Sequence, residues 1–429
     1  MKILIISSTP WDKNNSFGNT FSNLFAGMND VEIYNICCQK GKNNNSIVKK
    51  AVQMTDKSVL KSIFKIGYDP VWEMNEETEK QKQDENTEVS VRAKKSRSTF
   101  AFIIRDIIWR LGSWKKSKTL NTFLEELKPD VIYLPIYASC FMCDIQSYII
   151  KKLGAPVVGH ISDDVYGYPE NLSMIAKWHR TDLRKRLERL MAQCSYLEVF
   201  AENMKNEYEQ IFQKPCFLIG KGVKKEEIPL SLYNLNTKKE EIKFVYTGNI
   251  GGERYKVLFE LGQALEKLQL QQKVFLDIYS ATDLDEEMKE KFSSCSKLRF
   301  KGAITKEEVE EVQKEADFLV HVEGFSPQAI YSAKMSFSTK IIDYMLIGKP
   351  IFAVGPVEVN SIKVLKNKKL AIVADGFGII NDNLERIFNQ TIDVSSILKN
   401  VENYLREERD INKIQSGIKN RLNELVEKK

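Results

Sequence analysis

The chain has no run of about eighteen apolar residues, the length a helix needs to cross a bilayer, so no membrane-spanning helix is expected. Its opening stretch, MKILIISSTPWDK, puts a single lysine before a short apolar run, which suits a first β-strand better than a secretory leader. Seven cysteines, an odd number, without such a leader point to a reducing cytoplasm and away from a disulfide framework. CFMC (140–143) has CxxC spacing, but no second pair follows at a zinc-ribbon distance. The three histidines, His160, His179 and His321, are scattered, so buried thiols are expected in place of a metal or redox site. A net charge of +6 over 429 residues is too modest to argue for nucleic acid, and no recognised nucleic-acid module accompanies the local basic cluster. Neither G-x-G-x-x-G nor a P-loop lysine motif occurs.

What is present is a long alternation. Strand patterns at 2–7, 31–38, 130–136, 156–161, 195–200 and 215–220 interleave with helical ones, including a helix near 18–28 and another at 202–212. Residues 40–98 change character and turn polar, and 73–98 reads as a mobile surface insertion. The charged stretch 223–240, with Pro229, reads as a linker. A second series follows at 243–249, 273–280, 297–302, 317–323, 350–355 and 370–375. Its helices are clear, as in 304–316, where Thr305 and Glu308 make a capping box. The last thirty or so residues are helical. Two such series predict two doubly wound α/β domains facing a cleft, with ligands at the carboxyl ends of the strands.

The unusual residues fall at those ends. Gly18 precedes a helix after the first strand, where a ligand can approach the backbone. TGNIGGERYK (247–256) joins Gly248, Gly251 and Gly252 to Arg254 and Lys256 at a helix start, a set suited to a diphosphate. A turn followed by surface charges is the plainer alternative. His321 and Glu323 end an otherwise apolar strand. In SFSTKIIDYMLIGKP (336–350), Ser336 or Ser338 opens a short helix and Gly348 closes it, with Ile341, Ile342, Met345 and Leu346 on its buried face. Asp343 offers two acceptor oxygens to a ribose, and Lys340 could face the attached phosphate. An exposed ion pair three residues apart would explain the same two residues.

The stretch HVEGF followed by FSTKIIDYMLIGKPIFAVGP resembles the donor-site signature of retaining GT-B glycosyltransferases of the large family 4, in the variant of bacterial polysaccharide-type members. The resemblance extends through YTGNIGG, LRFKGAITKEEVEEVQKEADFLVHVE and FAENMKNEYEQIFQKPCFLIGKGV, covering most of 120–375. It implies an acceptor-side Rossmann-like domain at 1–222, a linker at 223–240, a nucleotide-sugar donor domain at 241–395 and C-terminal helices at 396–429. Asp343 falls on the family's second glutamate, which binds the donor ribose, and Glu323 on the first, near the transferred sugar. Arg254 and Lys340 become the cations that neutralise the diphosphate. Gly18 falls on the first-domain glycine loop, and His160, in GHISDD, on a histidine near the donor sugar.

Two departures accompany the match. Nineteen residues separate Glu323 from Asp343 where the family's E-x7-E motif has seven, so SPQAIYSAKMS is an insertion. Asn249 stands where an arginine often follows the strand glycine, leaving Arg254 as its substitute, with Gly248 and Asn249 still in the donor loop. The implied reaction transfers a sugar from a nucleoside diphosphate to a hydroxyl, with retention and without a catalytic metal or cofactor. Asp163 and Asp164 in SDD lack the DxD spacing of a metal motif.

Between 92 and 118, Arg92, Lys94, Lys95, Arg97, Arg105, Arg110, Lys115, Lys116 and Lys118 face a single acid, Asp106. Phe100, Phe102, Ile104, Ile107, Trp109 and Trp114 interleave with them. That pattern suits an anionic membrane surface, or a core helix with a solvated basic face. A cytoplasmic glycosyltransferase, peripheral at the inner face of the membrane and acting on a lipid-linked glycan of a bacterial surface polysaccharide, is the expectation. A sugar-nucleotide 2-epimerase of the same fold and a non-catalytic nucleotide-sugar-binding pseudo-transferase are the alternatives.

Overall fold

A computed structural model describes residues 1–13, 15–74, 99–169, 172–230, 239–268 and 270–428. The chain divides into two units: Met1–Phe200, Met204–Ile219 and Ile411–Lys429 form the first, Ala201–Asn203 and Gly220–Asp410 the second.

Among the described residues, unit 1 holds β1 (Lys2–Ser7), β2 (Glu32–Cys37), β3 (Val48–Gln53), β4 (Trp72–Glu73), β5 (Val131–Pro135), β6 (Val157–Ile161), β7 (Tyr196–Val199) and β8 (Cys216–Leu218). They form one sheet in the order β4-β3-β2-β1-β5-β6-β7-β8. All its pairings are parallel except that of β3 with β4. Unit 2 holds β9 (Glu241–Thr247), β10 (Lys273–Tyr279), β11 (Leu298–Gly302), β12 (Phe318–Val322), β13 (Ile351–Val354) and β14 (Ile372–Ala374), wholly parallel in the order β11-β10-β9-β12-β13-β14. In each sheet the chain first builds to one side and then restarts next to its first strand. The switch points lie between β1 and β5 and between β9 and β12, where such sheets bind ligands.

Parallel strands buried on both faces are apolar throughout, and β5, β6, β12 and β13 are buried at every position. Ile242, Phe244 and Tyr246 of β9 pack into one core, and Val245 into the core on the other face with Leu319 and Ile341. Phe244 stacks on Phe318 at 4.6 Å between ring centroids.

The polar region 40–98 is not structureless before 75: β3, the helix Asp56–Phe64 with its Thr55–Ser58 capping box, and β4 all fall within it. The expected insertion 73–98 lies outside the described residues from 75 onward. Of the two settings left open for the 92–118 pattern, Trp109 and Trp114 take the buried one, at 2 % and 1 % exposure. The Trp109 indole donates to Asp56 and that of Trp114 to the Trp109 carbonyl at 2.7 Å.

The C-terminal helices part company. Val394–Glu408 packs in unit 2, where Val401, Tyr404 and Leu405 are buried, whereas Ile411–Glu427 belongs to unit 1. Between them, Asp410 bridges to Val223, the first residue of the expected linker, whose N–H donates to the Arg409 carbonyl at 2.6 Å. Ile418 and Leu422 of the last helix are fully buried against Ile3, Phe25 and Tyr133 in the unit 1 core. Leu422→Ala therefore removes a filled core position contributed by the chain end. It should lower the unfolding free energy of unit 1 by about 2–5 kcal/mol in urea titrations followed by a unit 1 probe.

Candidate active site

β9 ends at Thr247, and the turn after it is held by local chemistry. The Tyr246 hydroxyl donates to the Asn249 carbonyl at 2.6 Å, and the Asn249 side chain accepts from the Gly251 N–H at 2.6 Å, an Asx-type turn. Gly252 (φ 64°) and Glu253 (φ 65°) are both left-handed, which swings the chain into the helix Arg254–Lys267. Arg254 is thus the first helical residue.

Glu323 follows the last residue of β12 and is 6 % exposed. A buried carboxylate requires a cation. Arg254 supplies it, donating from Nε and Nη2 to Oε2 at 3.1 and 2.8 Å. His321 Nε2 lies 3.6 Å from the other oxygen and 3.2 Å from the Ser361 hydroxyl. Burial holds the His321 pKa below its ordinary value, with Glu323 opposing and Arg254 reinforcing the shift.

The helix Thr339–Ile347 buries Ile341, Ile342, Tyr344 and Met345 and stops at Gly348, left-handed at φ 75°. Ser338 is its N-cap residue but makes no side-chain capping bond. Tyr344 ties this helix to the end of β9: its hydroxyl accepts from the Thr247 N–H and meets the Thr247 hydroxyl, both at 3.1 Å. That docking sends Lys340 toward the turn. A Cβ on Gly248 would stand 2.7 Å from the Lys340 ammonium, so the absence of a side chain there makes room for it.

Lys340 has no hydrogen bond or ion pair among the described residues. Although the residue as a whole is exposed, burial of its ammonium lowers its pKa. The like charge of Arg254 lowers it further, and Asp343 opposes both. Asp343 does not pair with Lys340, the neighbour expected from spacing, but with Lys221. Sequence reasoning missed Lys221, although its position between two glycines (GKG, 220–222) just after a strand is a readable signal.

In unit 1, Gly18 is buried in the first turn of the helix Ser16–Phe25. A Cβ there would lie 2.1 Å from the Asp12 carbonyl oxygen, so the loop after β1 folds back over a position that admits only glycine. Its N–H is occupied by the Asn15 cap at 2.7 Å. His160, on β6, is 2 % exposed and its pKa is pushed down to about 3 by burial. Its Nδ1 meets the Tyr133 hydroxyl at 3.0 Å and its Nε2 the Ser162 hydroxyl at 3.2 Å.

Cys140 and Cys143 are free and buried, as expected. Asp106, Cys140 and His179 bring their ligand atoms within 4.8 Å of one another. Asp106 already accepts from the Phe141 N–H at 3.2 Å and meets His179 Nε2 at 2.9 Å, which describes a polar contact between helices.

No protein-family model and no curated protein matches the sequence. Solved structures do match. HepE from Anabaena in complex with UDP superimposes with a TM-score of 0.61 over 99 % of this chain and 100 % of its own, at 13 % identity. Sucrose-phosphate synthase from Thermosynechococcus elongatus gives 0.63 over 100 % of both chains at 12 % identity. The lipopolysaccharide outer core galactosyltransferase WaaB gives 0.54 over 94 % of this chain and 96 % of its own, also at 12 %. The chain therefore has the GT-B fold of nucleotide-sugar glycosyltransferases, two Rossmann-like α/β units of parallel sheet.

The two cations at the β9 turn make a sharp expectation. Arg254→Ala should raise the Lys340 pKa, and Asp343→Ala should lower it further, read by carbon-13 NMR titration of reductively methylated lysines. No movement in either variant would mean that the ammonium is not where these contacts place it.

Proposed function

We propose that this chain is a glycosyltransferase that takes a sugar from a nucleoside-diphosphate sugar and passes it to a hydroxyl acceptor with retention. The observation that carries the reading is the Lys340 ammonium beside Gly248, repelled by Arg254 and making no hydrogen bond or ion pair among the described residues. Two cations held close by folding create a place for a diphosphate. Arg254 spends Nε and Nη2 on Glu323, while Nη1 makes no hydrogen bond among the described residues. Charge building on the departing phosphate oxygens is then met by Lys340 and the free edge of Arg254. Side chains do the work a metal does elsewhere, and no cofactor enters the mechanism. Asp343 takes the ribose hydroxyls and Glu323 lies near the transferred sugar; in unit 1 the proposed residues are Gly18 and His160.

HepE has been captured with UDP and with UDP-glucose, which supports a nucleotide-sugar ligand and makes UDP the first nucleotide to try. A thermal-shift panel of UDP, GDP, ADP and CMP should stabilise the wild type with one member and leave Asp343→Ala unmoved. A ligand at a hundred times its Kd adds roughly 2.7 kcal/mol. Arg254→Ala should cost about 10²–10³ in kcat, by analogy with removing one donor from a charge-stabilising site. Nucleotide binding without turnover in the presence of acceptor glycans would favour a pseudo-transferase, and donor conversion without acceptor an epimerase.

The acceptor is proposed to be a lipid-linked glycan of a bacterial surface polysaccharide, reached at the inner face of the membrane. No helix among the described residues is long and apolar enough to cross a membrane. The helix Thr99–Leu111 nonetheless exposes Phe100, Phe102, Ile104, Ile107 and Leu111, and Phe64 and Ile66 are exposed at the end of the helix packed beside it. With Arg110, Lys115 and Lys116, these apolar side chains support an anionic lipid surface as the partner. Ile107→Asp combined with Leu111→Asp should abolish cosedimentation with anionic vesicles, and salt should weaken it in the wild type. Equal recovery on zwitterionic and anionic vesicles would remove this part of the reading.

A further inference from the structure

Resting on the glycosyltransferase reading, we infer that Ser162, at the carboxyl end of β6, accepts a hydrogen bond from a sugar hydroxyl, its proton direction set by a buried relay running from Arg421 through Glu198, Tyr133 and His160. Neither Ser162 nor any relay member other than His160 stood out in the sequence.

The relay lies wholly within unit 1, and its direction follows from counting protons. Glu198, on β7, has no exposure at all. Arg421, from the final helix, donates to its Oε1 from Nε and Nη2 at 3.2 and 2.6 Å, an ion pair that leaves Oε2 to accept from elsewhere. The Tyr133 hydroxyl donates to the other oxygen, Oε2. A phenol has one proton, so toward His160 Nδ1, 3.0 Å away, Tyr133 can only accept. His160 must therefore carry its hydrogen on Nδ1.

A neutral imidazole has no second hydrogen, which leaves Nε2 an acceptor. The partner of Nε2 is Ser162 Oγ at 3.2 Å, which must then donate. Burial keeps the ring neutral. The rings of Phe21 and Phe200, at 4.8 and 5.4 Å between centroids, fix its orientation.

Ser162 itself is exposed. With its only proton committed inward, its oxygen meets solvent as a pure acceptor. A phosphate oxygen has nothing to donate to it, whereas a sugar hydroxyl does. The low basicity of His160 also argues against activation of Ser162 as a nucleophile, so the serine positions a ligand and forms no bond to it. The hydroxyl can come from the donor sugar or from the acceptor glycan, and binding measurements separate the two.

The full-length protein has three histidines, which makes imidazole nitrogen-15 NMR tractable. Wild-type His160 is expected to be neutral at pH 7 with the hydrogen on Nδ1. Tyr133→Phe should shift the population toward Nε2–H, whereas a merely structural tyrosine would leave the tautomer unchanged. Wild type with Nε2–H, or a tautomer that Tyr133→Phe does not move, overturns the relay.

Ser162→Ala, at an exposed site, tests the ligand independently of folding. A five- to tenfold loss of affinity for UDP-glucose with UDP unchanged assigns the hydroxyl to the donor sugar, and a loss confined to a panel of free mono- and disaccharides assigns it to the acceptor. Unchanged affinity for all of them overturns the role of Ser162. A wild type that binds no nucleotide defeats the glycosyltransferase reading, and with it the sugar ligand, while the tautomer still decides the relay.

Discussion

Glu323 is a carboxylate that the fold forces indoors: β12 runs through the middle of a parallel sheet and leaves its first non-strand residue beneath the surface. An ion there without a partner would destabilise the unit by several kcal/mol. Everything around it reads as a consequence. The turn after β9 takes two consecutive left-handed residues so that Arg254 can begin a helix within reach of that carboxylate. Gly324 lets the next loop close in, since a Cβ there would fall 2.5 Å from the Gly252 carbonyl oxygen. Because Arg254 is spent largely on Glu323, Lys340 remains a cation without a hydrogen bond or ion pair among the described residues.

The location of these residues follows from the sheet and not from chance. A strand covered on both faces can present polar chemistry only where it stops. At a switch point the connections on either side lead away from each other, leaving a crevice above the carboxyl ends. Unit 2 uses the ends of β9 and β12, its switch pair. Unit 1 places the Gly18 loop after β1, one of its own switch strands, and the relay on β5, the other switch strand, and on β6 and β7 beside it. The final helix makes that relay possible, because Arg421 returns from the far end of the chain to neutralise Glu198.

Much of the architecture was legible from the sequence because parallel strands are continuous apolar runs and the helices between them carry caps. The edge of unit 1 was not. β3 reads VKKAVQ, and only its second half, from Ala51, is buried, so its pattern resembles a loop. Trp109 and Trp114 could not be placed for a related reason: an amphipathic segment shows two faces, and periodicity does not say which neighbour covers which. At the candidate site, residue types and turns were readable, but partnerships were not. Lys221 lies 122 residues from Asp343, and the relay from Arg421 joins residues hundreds of positions apart. Pairings of that kind are products of topology.

The nineteen residues between Glu323 and Asp343 fold back on themselves. SPQAIYSAKMS does not stretch the distance between the two acidic positions along a strand or a single helix. It folds into its own short helix, Pro327–Ala333, with Ser326 as cap and Pro327 in the first turn, and the chain then resumes at Ser338. Both acidic residues remain referred to one landmark, the turn after β9: Glu323 through Arg254, and the Asp343 helix through Tyr344 and Thr247. The constraint on this site is therefore attachment to that turn and not the number of residues between the carboxylates. A spacing rule derived from a continuous segment loses its force once the intervening chain closes on itself.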